Sequence, residues 1–193
     1  MLKSIISPLG GINTESKYKT YAFHMLAILA GSIVLWASAK FKIPFYPVPF
    51  TMQTLFIFLL SAVYGYRLGG ATLLTYVAAG AMGLPIFAGT PEMGVGMAYI
   101  LGPTGGYIIG FVIASFLLGY LWQKSLAKTF YFALLACTLA TGVIFLCGWA
   151  WLAYHIGGLA AFTFGVWPFW ASALLKILIA ALLIPKLHTP TFN

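Results

Sequence analysis

Hydrophobic residues in this chain come in long blocks, and polar residues are confined to the intervals between them. Apolar blocks cover about residues 21–39, 50–64, 68–82, 103–121, 129–154 and 166–184. Each approaches the roughly 20 residues that a helix needs to cross a bilayer. The blocks at 50–64 and 68–82 are short and are separated by Gly65, Tyr66 and Arg67. The pattern predicts an all-α integral membrane protein with six transmembrane helices in one compact bundle. Residues 1–20 are expected as a cytoplasmic arm and 21–193 as the membrane domain.

Two intervals break the blocks most sharply. FKIPFYPVPF, residues 41–50, holds three prolines and predicts an extended turn. GLPIFAGTPEMGVGMAYILGPTGGY, residues 83–107, holds seven glycines, three prolines and Glu92. Irregular backbone is tolerated at membrane depth only where protein or a water-filled cavity covers it. This stretch is therefore expected to roof a small-molecule pocket.

Composition agrees with the blocks. Of 193 residues, 62% are hydrophobic and 6% charged, whereas soluble domains carry roughly 25% charged residues. The basic residues behind the net charge of +8 lie mostly in the intervals, as topology signals do, and there is no polar domain to present a basic face to nucleic acid. With the N-terminus inside, Lys3, Lys17, Lys19, Arg67, Lys124, Lys128 and Lys186 fall on the inner side, and Lys40 and Lys42 on the outer. The excess predicts both termini in the cytoplasm. The opening MLKSIISPLGG is too short and broken for a secretory signal, so an unprocessed membrane protein is expected. Cys137 and Cys147 are ten residues apart on one block, about 15 Å along a helix and too far for a disulfide.

Small residues recur at every fourth position in Gly102, Gly106, Gly110 and Ala114, and in Ala71, Thr75, Ala79 and Gly83. Such ridges let helices pack closely, either within the bundle or against a partner subunit. Trp149, Trp151, Trp167 and Trp170 suit interfacial anchors; Trp167 or Trp170 also suits a pocket wall.

Lys176 is the most informative single residue. It lies mid-block, ten positions and about 15 Å from Lys186. Charge at the bilayer centre costs about 2.5–3.5 kcal/mol on insertion scales, so such a residue is expected to face a cavity and a partner. No acid lies in any block, which leaves a ligand acceptor or backbone carbonyls as that partner. Gln53 and Thr51 suit an amide-like ligand or a helix–helix bond. Thr104, Tyr107 and Tyr154 offer hydroxyls to a ligand or to the interface. There is no paired carboxylate, no nucleophile with a base and no nucleotide-binding motif. His24, His155 and His188 are scattered, so neither an enzyme nor a metal or cofactor site is expected.

KIPFYPVPFTMQT (42–54), GLPIFAG (83–89) and LGPTGGYIIGF (101–111) together resemble the BioY family of biotin-binding S components of energy-coupling-factor (ECF) transporters. The resemblance implies biotin capture at the outer face of a prokaryotic cytoplasmic membrane, among membrane lipids. Energy would come from a coupling protein and two ATPase subunits. A solitary biotin facilitator, or an S component for another small vitamin, is the alternative. The implied ligand residues are Lys176, Gln53, Phe87, Gly89, Thr104, Tyr107, Tyr154 and Trp170. Ala27 and Gly31 are the nearest match to the partner-docking face that S components carry on their first helix. In one respect the chain departs from the family: the pattern P-F-x-x-G-D-x-x-K keeps Lys176 but has Ser172 and Ala173 in place of its glycine and aspartate.

Overall fold

A computed structural model describes residues 14–125 and 128–187, and side chains from residue 18 onward. The greater part of the expected N-terminal arm, with Lys3, and also His188, lie outside the described residues. Helix α1 runs from Thr14 to Lys40, so the apolar helix begins earlier than the sequence blocks suggest. The prolines at 44, 47 and 49 then hold the chain extended. Lys42–Ile43 (β1) pairs antiparallel with Phe50–Thr51 (β2), with Lys42 opposite Thr51 and Ile43 opposite Phe50.

Helix α2 spans Gln53–Ala81 and takes up both short blocks. Its backbone leaves helical geometry at Gly65, with φ 71° and ψ −178°, a conformation that glycine alone adopts without strain. A Cβ placed on Gly69 would lie 3.3 Å from the Cα of Ser61. A straight helix would hold those residues about 12 Å apart, so the two arms of α2 fold sharply against each other. Residues 83–104 follow as an irregular stretch around the short helix α3, Met97–Leu101. Helices α4 (Gly105–Lys124) and α5 (Phe130–Ile156) come next. Thr129 caps α5 by accepting from the Phe132 N–H at 3.4 Å.

The last span is longer than the block at 166–184. Helix α6 is Gly158–Gly165, a 3₁₀ turn at Trp167–Phe169 carries Pro168, and α7 is Trp170–Leu183. Together with α1, α2, α4 and α5 this makes five helical segments, among the described residues, long and apolar enough to cross a membrane.

The two ridges of small residues behave differently. Gly106 and Gly110 face α5: a Cβ on Gly110 would lie 2.9 Å from the Cα of Ile144, and one on Gly106 would overlap Trp151 and the Cys147 carbonyl. The second ridge does not carry the packing. Thr75 and Gly83 are exposed, and the buried face of that arm is Gly69, Gly70, Thr72, Leu73, Tyr76 and Gly80. Polarity cannot separate the two faces when every residue is small or apolar; only the direction of α2 after Gly65 does.

The irregular segments gather at one end of the bundle. There Lys40 meets the 83–104 stretch, Trp151 donates to the Gly102 carbonyl at 2.9 Å, and Trp149 donates to the Gly158 carbonyl at 3.0 Å. The opposite end holds Gly65 against Gln123, and Lys128 over the Trp122 ring at 5.9 Å.

Candidate functional site

The glycine-rich stretch folds as a tethered roof. Two tyrosines and a lysine fasten it by its own backbone. Tyr76 donates to the Ile86 carbonyl at 2.9 Å, and the Tyr99 hydroxyl accepts from the Gly89 N–H at 3.0 Å. The Lys40 ammonium donates to the Phe87 carbonyl (3.1 Å), the Thr90 carbonyl (3.0 Å) and Thr90 Oγ1 (3.2 Å). Lys42 pairs with Glu92 at 3.3 Å. The Glu92 carboxyl is held below its ordinary range, first by its own backbone N–H and then by Lys42. At the other end of the roof, the His155 ring nitrogens face the Trp151 and Leu101 carbonyls at 3.0 and 3.2 Å.

Phe87 is the centre of this packing. Its ring stacks on Tyr99 at 5.1 Å and meets Tyr76 edge-on at 5.5 Å. Any side chain at Gly80 would run into the Phe87 ring, so the glycine lets the roof seat on α2.

Beneath the roof lies a cavity of about 40 Å³, lined by Gln53, Phe87, Tyr99, Thr104, Tyr107 and Phe111, among others. It joins four of the residues expected to bind a ligand. The Tyr107 hydroxyl, however, donates to the Gly165 carbonyl at 2.7 Å in a buried bond, which ties α4 to α6. Gly89 lies just above, between Tyr99 and Met93.

A second space shares Thr51 with the first. It is an open groove of about 690 Å³ between the β1–β2 hairpin and α7, lined by Lys40, Lys42, Phe50, Pro168, Ser172 and Lys176 among others. This volume falls within the range of small-molecule sites; the 40 Å³ cavity does not. Phe50 stacks on Phe169 at 4.2 Å, and Phe45 meets both rings edge-on, so the hairpin is pinned to the turn before α7. Lys176 has no hydrogen-bond or salt-bridge partner among the described residues. It faces both the groove and a smaller space shared with Thr141, Ser172 and Ala173.

Other expected residues lie apart. Tyr154 is 90% exposed, and Trp170 is 52% exposed beside Trp167; neither lines the cavity or the groove. Gly31 is buried against Thr72 and Tyr64, and the Ala27 carbonyl accepts from Tyr64 at 3.1 Å. Gly31 thus packs within the chain against α2, while Ala27 stays partly exposed. Lys40 and Phe50 were not singled out in the sequence. Lys40 reads there only as an outer-side charge, and its carbonyl partners 47 and 50 residues away reveal more.

The comparison with known proteins decides the family. The BioY family model matches residues 13–191. The chain belongs to the BioY family. Among its relatives is the probable biotin transporter BioY of Pyrococcus horikoshii, 40% identical over 79% of this chain and 88% of that protein. The biotin transporter BioY of Thermotoga maritima is 37% identical over 77% of this chain and 86% of its own length. The fold of this BioY chain is similar to that in the 2.1 Å crystal structure of the S-component for biotin from an ECF-type ABC transporter. The TM-score is 0.71, at 21% identity over 89% of this chain and 92% of that one.

Proposed function

We propose that this BioY-family protein captures biotin at the outer face of a prokaryotic cytoplasmic membrane, as the substrate-binding subunit of an ECF-type vitamin transporter. It is a transport protein rather than an enzyme. The observation that carries the reading is Lys176, set within a membrane span and facing a groove of about 690 Å³, with no hydrogen-bond or salt-bridge partner among the described residues. A half-buried ammonium within a span is costly without an acceptor, and a urea or carboxylate oxygen of biotin supplies one. Ser172 beside it offers a further hydroxyl. The bicyclic ring has Phe50 and Pro168 as apolar neighbours.

The break at Gly65 separates two crossings on this reading, which makes six with both termini inside. The close approach of Gly69 to Ser61 supports the count. Arg67, Lys124 and Lys128 at the end opposite the roof support the orientation, since cytoplasmic ends carry the excess of lysine and arginine. Gln53, Phe87, Thr104 and Tyr107 then form an inner wall, reached when the roof lifts.

Mass spectrometry of the small molecules that co-purify with the protein is the test. Biotin is the expected species, and a different vitamin would replace the reading. ECF partners, a coupling protein and two ATPases, would supply the energy. A solitary role is the second reading, and the burial of Gly31 against Thr72 and Tyr64 favours it. Biotin uptake into liposomes by the protein alone would establish it; dependence on added ATPase subunits would remove it.

A further inference from the structure

The groove carries an uneven charge. Three lysines line it, yet they are not equivalent. Lys42 is neutralised by Glu92 at 3.3 Å. Lys176 lies deep, within the span. Lys40 stands at the exposed end of α1 and gives its three hydrogen bonds to neutral oxygens of the roof: two carbonyls and a hydroxyl. Those bonds satisfy its donors without an ion pair; Glu92, paired with Lys42, acts on the Lys40 charge only as a neighbour. Among the described residues no carboxylate makes a salt bridge to it. The chain has two acidic residues; one is committed to Lys42, and the other, Glu15, starts α1 about 37 Å away along the helix.

We infer that Lys40 is a specificity-determining residue that reads an anionic group on the ligand, so that the site selects the free carboxylate of biotin over neutral derivatives. The inference rests on the proposed function above. The physical argument is one of placement. A carboxylate carried to the depth of Lys176 would lose its hydration. At the Lys40 rim it stays partly wet and meets an ammonium that has no salt-bridge partner among the described residues. The apolar ring goes inward, and the acid stays outward. Because the three Lys40 donors are already engaged, the carboxylate takes at least one of them from Phe87 or Thr90. Seating the ligand therefore exchanges part of the roof's tether for a bond to the ligand.

The test is isothermal titration of the full chain in detergent with biotin and with biotinamide, for wild type, Lys40→Gln and Lys40→Arg. Charge-assisted hydrogen bonds outweigh neutral ones by enough to give about a tenfold preference or more. Wild type is expected to prefer biotin by at least that factor. Lys40→Gln is expected to bring the ratio toward one, and Lys40→Arg to keep it. The ratio is informative even if Lys40→Gln loosens the roof, because loosening weakens both ligands. Equal wild-type affinity for the two ligands would overturn the inference and leave biotin capture standing. An unchanged ratio in Lys40→Gln would remove Lys40 from the role. Binding of neither ligand by wild type would overturn biotin capture itself, and this inference with it.

Discussion

Replacing Gly110 by alanine tests whether the spacing of α4 and α5 is set by bare backbone. A Cβ there would lie 2.9 Å from the Cα of Ile144 and 3.3 Å from its carbonyl oxygen. Ordinary contact begins near 3.4 Å, so the helices must part by about half an ångström. Both atoms it meets on Ile144 are backbone, and no rotamer change relieves them. Overpacking of this kind costs about 1–3 kcal/mol. Alanine also gains about 0.8–1 kcal/mol of helix propensity over glycine, which would blur a comparison with wild type. Gly142 supplies the control. It lies mid-helix in α5, exposed, with no atom within 4 Å of a new Cβ. In the difference between Gly110→Ala and Gly142→Ala the propensity gain cancels and the packing cost remains. At about 2–4 °C per kcal/mol for a chain of this size, Gly110→Ala should melt roughly 2–12 °C below Gly142→Ala. Detergent-purified protein heated in steps and assayed by size exclusion at one fixed rate measures it. Equal midpoints, or a higher one for Gly110→Ala, would refute the claim that this ridge sets the helix spacing.

Tyr107→Phe removes the buried bond to the Gly165 carbonyl and leaves that oxygen unpaired, at a cost of about 1–3 kcal/mol; a lower thermal midpoint is expected, and an unchanged one would return the hydroxyl to the list of ligand donors. Ala173→Asp places a carboxylate in the space beside Lys176 and restores the family pattern; about a tenfold gain in biotin affinity is expected, measured at equilibrium, and no gain would show that the missing acid is not limiting. Glu92 has a folded-state pKa below its ordinary value, so whatever its pair with Lys42 contributes is present above the ordinary carboxylate pKa and is lost as pH falls through the lowered one. Biotin binding should therefore show no loss from this pair between about pH 8 and 5, and because the pair is exposed, Glu92→Gln should weaken binding by less than about fivefold. A large loss from Glu92→Gln at neutral pH would mean that the pair holds the roof.

What the sequence determines by itself is set by length and chemistry along the chain. A block of 20 apolar residues has few fates other than a bilayer helix, and prolines at 44, 47 and 49 exclude a helix whatever surrounds them. Lys176 announces itself because a mid-span charge is expensive in any fold. Gly65 is legible as a break, but not as the sharp fold of one arm on the other. Tertiary structure decides what depends on direction. It selects which small residues touch, so that Gly106 and Gly110 face α5 while Thr75 and Gly83 stay exposed, and α2 covers Gly31. It also decides the partners of polar groups, because a hydroxyl or ammonium bonds whichever oxygen the fold delivers. Tyr107 is bonded to Gly165, and Lys40, which reads only as an outer-side charge, fastens carbonyls 47 and 50 residues further along the chain.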